Sequence, residues 1–131
     1  MNEKTLALAI RIAAALQDGD APALTPAPAK HHLIGKRVLV RDHKAGVYCG
    51  VLTAMDVEAG TAELRDARQV WYWTGAAATP GIAARGVGEG SKIGPKVEAV
   101  VCCDVVQVMP MTSQAWESVM GAPEWMGAGN D

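Results

Sequence analysis

Two hydrophobic periods divide the chain. From Thr5 to Leu16 the apolar residues recur at helical spacing: Leu6, Ala9, Ile10 and Ala13 form a stripe that Leu8, Ile12 and Leu16 widen. Lys4, Arg11 and Asp18 make its polar edge, and Gly19 ends it, so residues 1–18 are predicted as an N-terminal helix. A stripe this wide needs something to pack on, either its own sheet or a second subunit. Pro22, Pro26 and Pro28 then stand too close together for helix or sheet, which makes residues 19–33 an Ala/Pro-rich linker. A β-rich core over residues 34–125 and a frayed tail over 126–131 complete the expected organisation.

From Lys36 the period shortens to two. Lys36–His43 and Val47–Met55 read as strands joined by a turn at Lys44-Ala45-Gly46, and Val57-Glu58-Ala59-Gly60 is the next turn. Thr61–Trp73 is predicted as a long third strand, bent or bulged at Asp66-Ala67-Arg68 where the alternation breaks. Thr79-Pro80 opens a short helix that runs to Arg85 and stops at Gly86. The Gly86–Gly94 stretch has four glycines and Lys92, but Gly-Ser-Lys stands where a phosphate loop needs Gly-Lys-Ser, and no strand-to-helix passage surrounds it. A mobile loop is expected there. Val97–Met109 is predicted as a single apolar strand closed by Pro110, followed by a helix from Thr112 or Ser113 to Met120. The fold expected is α+β: a small antiparallel sheet or half-barrel of about four strands, with an N-terminal helix and a short C-terminal helix.

Composition narrows the function classes. The 131 residues suit one domain, and a formal charge of −2 argues against general nucleic-acid binding. Three cysteines, two of them adjacent at Cys102 and Cys103, provide neither a disulfide framework nor metal-ligand spacing, and neighbouring His31-His32 rarely chelate one ion unaided. No metal or cofactor is expected. The N-terminus lacks a basic leader, and no apolar run approaches the ~20 residues a bilayer needs, so no membrane partner and a cytoplasmic location are expected. Nucleophile-elbow, zinc-helix and Cys-x-x-Cys motifs are absent. A His43–Cys49 pair across the first hairpin is the one arrangement resembling a nucleophile and base, but a strand cysteine is more often a small buried hydrophobe. No catalytic residue is assigned, and the chain is not expected to be an enzyme.

The chemistry that remains is aromatic and cationic. Trp71-Tyr72-Trp73 holds three of the six aromatic residues. In an extended strand Trp71 and Trp73 share a face and Tyr72 takes the other. Arg65 and Arg68 precede them, and Arg41, His43, Arg85 and Lys92 fall on strand ends or in the following loops. Rings beside planar cations suit stacking on a flat ligand and hydrogen bonding to anionic oxygen. The candidate binding set is therefore Arg41, His43, Arg65, Arg68, Trp71, Tyr72, Trp73, Arg85 and Lys92. The competing reading is that the rings are plain core and the cations solvated surface.

Val40-Arg41-Asp42-His43-Lys44-Ala45-Gly46-Val47-Tyr48-Cys49-Gly50-Val51-Leu52, followed by Asp66-Ala67-Arg68-Gln69-Val70-Trp71-Tyr72-Trp73-Thr74-Gly75-Ala76, resembles a family of small phage and prophage proteins that share a domain of unknown function. The family pattern V-R-x-x-x-A-G-V-x-x-G-x-L, then D-A-R-x-[IV]-W-Y-W-x-G-A, continues to a Gly-Val after a short helix and a strand ending in Pro, matched here by Gly86-Val87 and Pro110. The resemblance covers Val38 to Thr112. It departs at Lys44, where the family usually carries a small hydroxyl residue. In size and provenance such proteins are similar to the Thoeris anti-defence sponges, phage proteins that sequester cyclic ADP-ribose-type or cyclic oligonucleotide immune signals. That likeness implies a nucleotide-like ligand, a homo-oligomer with pockets between subunits, the cytoplasm of an infected or lysogenic bacterium, and no catalysis. The alternatives are a protein–protein interaction inhibitor or phage accessory protein and, in a third class, a small phosphodiesterase or nucleosidase.

Overall fold

A computed structural model describes residues 31–127 of the chain. The helix expected over residues 1–18, most of the 19–33 linker and the last four residues of the tail lie outside the described residues. Within them the elements run β1 (Arg37–Asp42), β2 (Gly46–Asp56), β3 (Thr61–Tyr72), α1 (Thr79–Arg85), β4 (Lys92–Cys102), β5 (Val105–Pro110) and α2 (Ser113–Met120). The five strands form one antiparallel sheet in the order β4-β3-β2-β1-β5. The class is α+β, as the patterning predicts, but with five strands rather than about four.

The extra strand comes from the run expected as one strand over Val97–Met109, which breaks at Cys103-Asp104. Its first half pairs with β3, ending at Ala62↔Cys102, and its second half pairs with β1, starting at Asp42↔Val105. Two residues thus carry the chain from one edge of the sheet to the other. They span no more than about 10 Å, so the edges must approach there and the sheet is curled into an open barrel. Backbone bonds from Val105 N–H to Gly60 O (2.9 Å) and from His43 N–H to Asp104 O (2.8 Å) tie this crossing down. Apolar patterning alone does not show it, because valines fill both halves.

The β3 bulge lies where the sequence predicts it. From Cys49↔Arg68 to Val51↔Arg65 the partner strands advance by unequal steps, and Asp66 sits at φ 51°. Gly50 faces the bulge so closely that a Cβ there would lie 3.0 Å from Arg65 O and 3.1 Å from the Cβ atoms of Leu64 and Ala67. The extra residue changes which face of β3 is buried. Ala62, Leu64 and Ala67 join Val38, Val40 and Leu52 inside the curl, whereas Val70 joins Leu39, Cys49, Ile82, Ile93 and Val119 beneath the two helices.

Cys49, in the second cluster, is fully buried, and burial pushes its thiol up to about 12, while His43 is exposed in the β1–β2 turn. The pair is therefore not a nucleophile and its base. Cys102 is buried as well and Cys103 is exposed. A neutral-pH alkylating reagent should modify Cys103 in the native protein and leave Cys49 untouched until the fold is opened, as mass spectrometry of the labelled peptides would show.

Candidate ligand-binding site

The Asp66–Ala76 segment sorts into residues the fold consumes and residues it leaves over. Arg68 is consumed. It is 4% exposed, and its guanidinium lies among backbone carbonyls. Nε donates to Gly94 O (2.7 Å), one terminal nitrogen to Val119, Met120 and Ala122 O (3.1, 3.1 and 2.7 Å), and the other to Ile93 O (3.4 Å). The recipients at Val119 and Met120 are carbonyls from the last turn of α2, beyond the i to i+4 ladder and at the negative end of its dipole; Val119 O also takes the Ala122 N–H (3.3 Å). Burial lowers the Arg68 pKa and the nearby Glu124 carboxylate raises it, but a guanidinium stays charged. Arg68 therefore clamps α2, the start of β4 and the C-terminal segment to β3, with its donors turned away from any outside ligand.

Trp73 and its successors are consumed too. β3 ends at Tyr72, so the alternation that would put Trp73 on the face of Trp71 ends with it. Trp73 folds back against the helix-side core and donates its indole N–H to Ala76 O (3.0 Å). Gly75, at φ 83°, passes so near the next loop that a Cβ would lie 2.9 Å from Gly88 N. Thr74 locks that crossing: its carbonyl accepts from Gly88 N–H (2.7 Å), its hydroxyl donates to Glu89 O (2.6 Å), and its N–H donates to Ser91 Oγ (3.0 Å). The loop expected to be mobile over Gly86–Gly94 is therefore pinned at Gly88–Ser91, and its last residues already belong to β4.

Trp71 and Tyr72 are left over, 55% and 49% exposed. Trp71 stacks on Trp125, with ring centroids 4.5 Å apart and planes 22° from parallel. The C-terminal segment brings Trp125 there: its N–H donates to Ile93 O (2.7 Å), Glu124 bridges Ile93, and Arg68 holds Ala122. Lys92, opposite Tyr72 in the β3–β4 register, places Nζ 5.3 Å from the Trp71 and Trp125 rings and 5.7 Å from Tyr72. No carboxylate of the described residues pairs with this ammonium. Three rings and one cation thus converge at one end of the sheet. Sequence reading singles out Trp71, Tyr72 and Lys92 but misses Trp125, whose only signal is a lone tryptophan following the Gly121 and Pro123 helix stop.

The other predicted cations do not join the cluster. Arg41 and His43 are exposed at the end of β1 and in the turn after it. In the register row Ile93, Val70, Val47, Arg41 they stand three strands away, about 14 Å at normal strand spacing. Arg65 is exposed beside the bulge, nearer the middle of β3, and Arg85 is exposed in the last turn of α1, where a cation complements the helix dipole. A cavity of about 240 Å³ lies elsewhere, under the β2–β3 turn and β5, walled by Leu33, Met55, Thr61, Val105 and Val108. Among the described residues no group of three His, Cys, Asp or Glu side chains is placed to hold a metal, and no helix is long and apolar enough to cross a membrane.

Comparison with known proteins adds a family and a distant structural likeness. The profile of a domain of unknown function, DUF6948, matches residues 35–119. Among solved structures, a heptameric archaeal Sm protein aligns over 61% of this chain and 91% of its own, with 21% identity and a TM-score of 0.41. No curated protein matches the sequence.

Proposed function

The chain belongs to the DUF6948 family, and we propose that it is a non-catalytic binding protein that captures a nucleotide-like ligand on the Trp71–Tyr72–Trp125 rings. The observation that carries this reading is the stacked indole pair, Trp71 exposed and Trp125 half-buried, with an ammonium beside it that no carboxylate of the described residues neutralises. A base has a π-face for the open side of such a stack, and a phosphoryl oxygen has Lys92. Burying both indoles would have been simpler for folding, and the fold does pack the neighbouring Trp73, half-buried, against the helix-side core. Sequestration of a nucleotide-derived immune signal by a phage-encoded homo-oligomer is the biological setting we propose, on the strength of the family resemblance.

Tryptophan emission titrated with a cyclic ADP-ribose isomer and a cyclic dinucleotide tests the reading. Trp71→Ala should weaken binding by about 1–3 kcal/mol, roughly ten- to a hundredfold, with little change in melting temperature because the ring is exposed. Ligand released by heating should be chemically intact; recovery of a hydrolysed product would make the protein an enzyme instead. The second reading is a protein-docking surface. It is favoured by the position of the rings on open surface rather than in the 240 Å³ cavity, and by exposed Val97 and Val101 on neighbouring β4. A titration in which no nucleotide alters the emission would select it.

A further inference from the structure

Beside Trp125 the surface opens into a groove of about 340 Å³ between the Gly88–Ser91 turn and the Ala122–Trp125 segment. Among the described residues its charged walls are Glu89 and Glu124, both exposed, and no Lys or Arg lines it. Arg68 interacts with Glu124, and Nε and both terminal nitrogens of its guanidinium already donate to backbone carbonyls. Among the described residues Lys92 is the one cation over these rings, and its ammonium makes no hydrogen bond or ion pair there. A ligand stacked there meets one ammonium, and the groove that Trp125 lines beside it carries two carboxylates. The first phosphoryl charge is attracted, whereas each further charge has to lie near Glu89 or Glu124 or be held out in solvent.

We infer that Glu89 and Glu124 determine specificity at this site, restricting it to ligands with about one phosphoryl charge per stacked base, cyclic phosphodiesters such as a cyclic dinucleotide rather than linear polyphosphates or the pyrophosphate of a cyclic ADP-ribose isomer. The inference rests on the nucleotide-binding reading above and narrows it. The two carboxylates select by repulsion, the usual means by which a site rejects a close analogue that its attractive contacts would accept. The Glu89 side chain is free to be changed, since its backbone carbonyl, not its carboxylate, holds Thr74.

The test uses the full-length protein and its Glu89→Gln/Glu124→Gln variant, titrated by tryptophan emission with adenosine, adenosine 3′,5′-cyclic monophosphate and ATP. Wild type should bind the cyclic monophosphate tightest and ATP about tenfold more weakly or worse. The variant should regain about tenfold in ATP affinity and leave the cyclic monophosphate within about threefold. Glu89→Gln alone should move ATP in the same direction, which covers the case of a double variant that melts early. Wild-type affinity that rises with phosphate number, or an ATP penalty that survives in both variants, overturns the selectivity and leaves nucleotide binding standing. Silence toward all three ligands overturns the binding reading itself.

Discussion

Replacing Arg68 with Ala is expected to cost the domain about 3–5 kcal/mol of stability, as follows when two or three buried carbonyls lose their donor at about 1–3 kcal/mol each. For a folded unit of this size, each kcal/mol corresponds to about 4–8 °C, so the melting temperature should fall by more than about 12 °C, or the variant should not fold. The reason is the set of acceptors left behind. Carbonyls of Ile93, Gly94, Val119, Met120 and Ala122 all receive an N–H from this one side chain. Deleting it takes a donor from all five; Ile93 O keeps the Trp125 N–H and Val119 O the Ala122 N–H, and each buried acceptor left unsatisfied costs about 1–3 kcal/mol before any relaxation. Arg68→Lys should recover part of the loss, since one ammonium cannot span carbonyls that a planar fork reaches from three nitrogens. Thermal melts of the wild type and both variants check this. A Tm within a few degrees of wild type for Arg68→Ala would show that the clamp contributes little.

That expectation reverses what the sequence implies for this residue. Read as a strand position next to three aromatic residues, Arg68 looks like a ligand contact whose loss would lower affinity and spare the fold. Nothing within ten residues on either side hints that the carbonyls it serves come from positions 93–94 and 119–122. The same distance effect explains Trp125, which reaches Trp71 only because the C-terminal segment lies along Ile93. Local signals fared better. Turn residues and two-residue alternation locate β1, β2 and β3, and the lost alternation at Asp66 locates the bulge. What alternation cannot reveal is a break inside an apolar run. Val97–Met109 reads as one strand because the residues that break it, Cys103 and Asp104, are held by a partner sixty residues earlier in the chain. The exposed half of the aromatic segment was also ambiguous, since whether a ring is core or surface depends on where the strand ends.

That earlier partner is Asp42, and the second large effect is expected there. Its side chain is 4% exposed. One carboxylate oxygen accepts from the N–H groups of Lys44 and Ala45 (2.9 and 2.8 Å), closing the β1–β2 turn, and the other accepts from Asp104 N–H (2.8 Å), fixing the crossing from β4 to β5. Burial by itself raises a carboxyl pKa, but backbone amides of Ala45, Asp104, Lys44 and Cys103 outweigh it and hold Asp42 below its ordinary value of 3.8. The sign of the pH effect follows. With the folded pKa depressed, the unfolded chain takes up the proton first as pH falls, so the contribution of Asp42 is fully present above the unfolded value and is lost as pH drops through the folded one. At pH 7, Asp42→Ala should cost about 2–4 kcal/mol, because charge-assisted bonds to backbone amides are the stronger kind and one side chain makes several. Asp42→Asn keeps one acceptor oxygen and removes the titration, so it should cost less at pH 7. The gap between it and the wild type should then close as the pH is lowered below about 4. Denaturant melts of both proteins across pH 7 to 2 measure that gap directly. A gap that stays constant down to pH 2 would mean that Asp42 holds the turn and the strand crossing without its charge, leaving the acid sensitivity of the domain to other carboxylates.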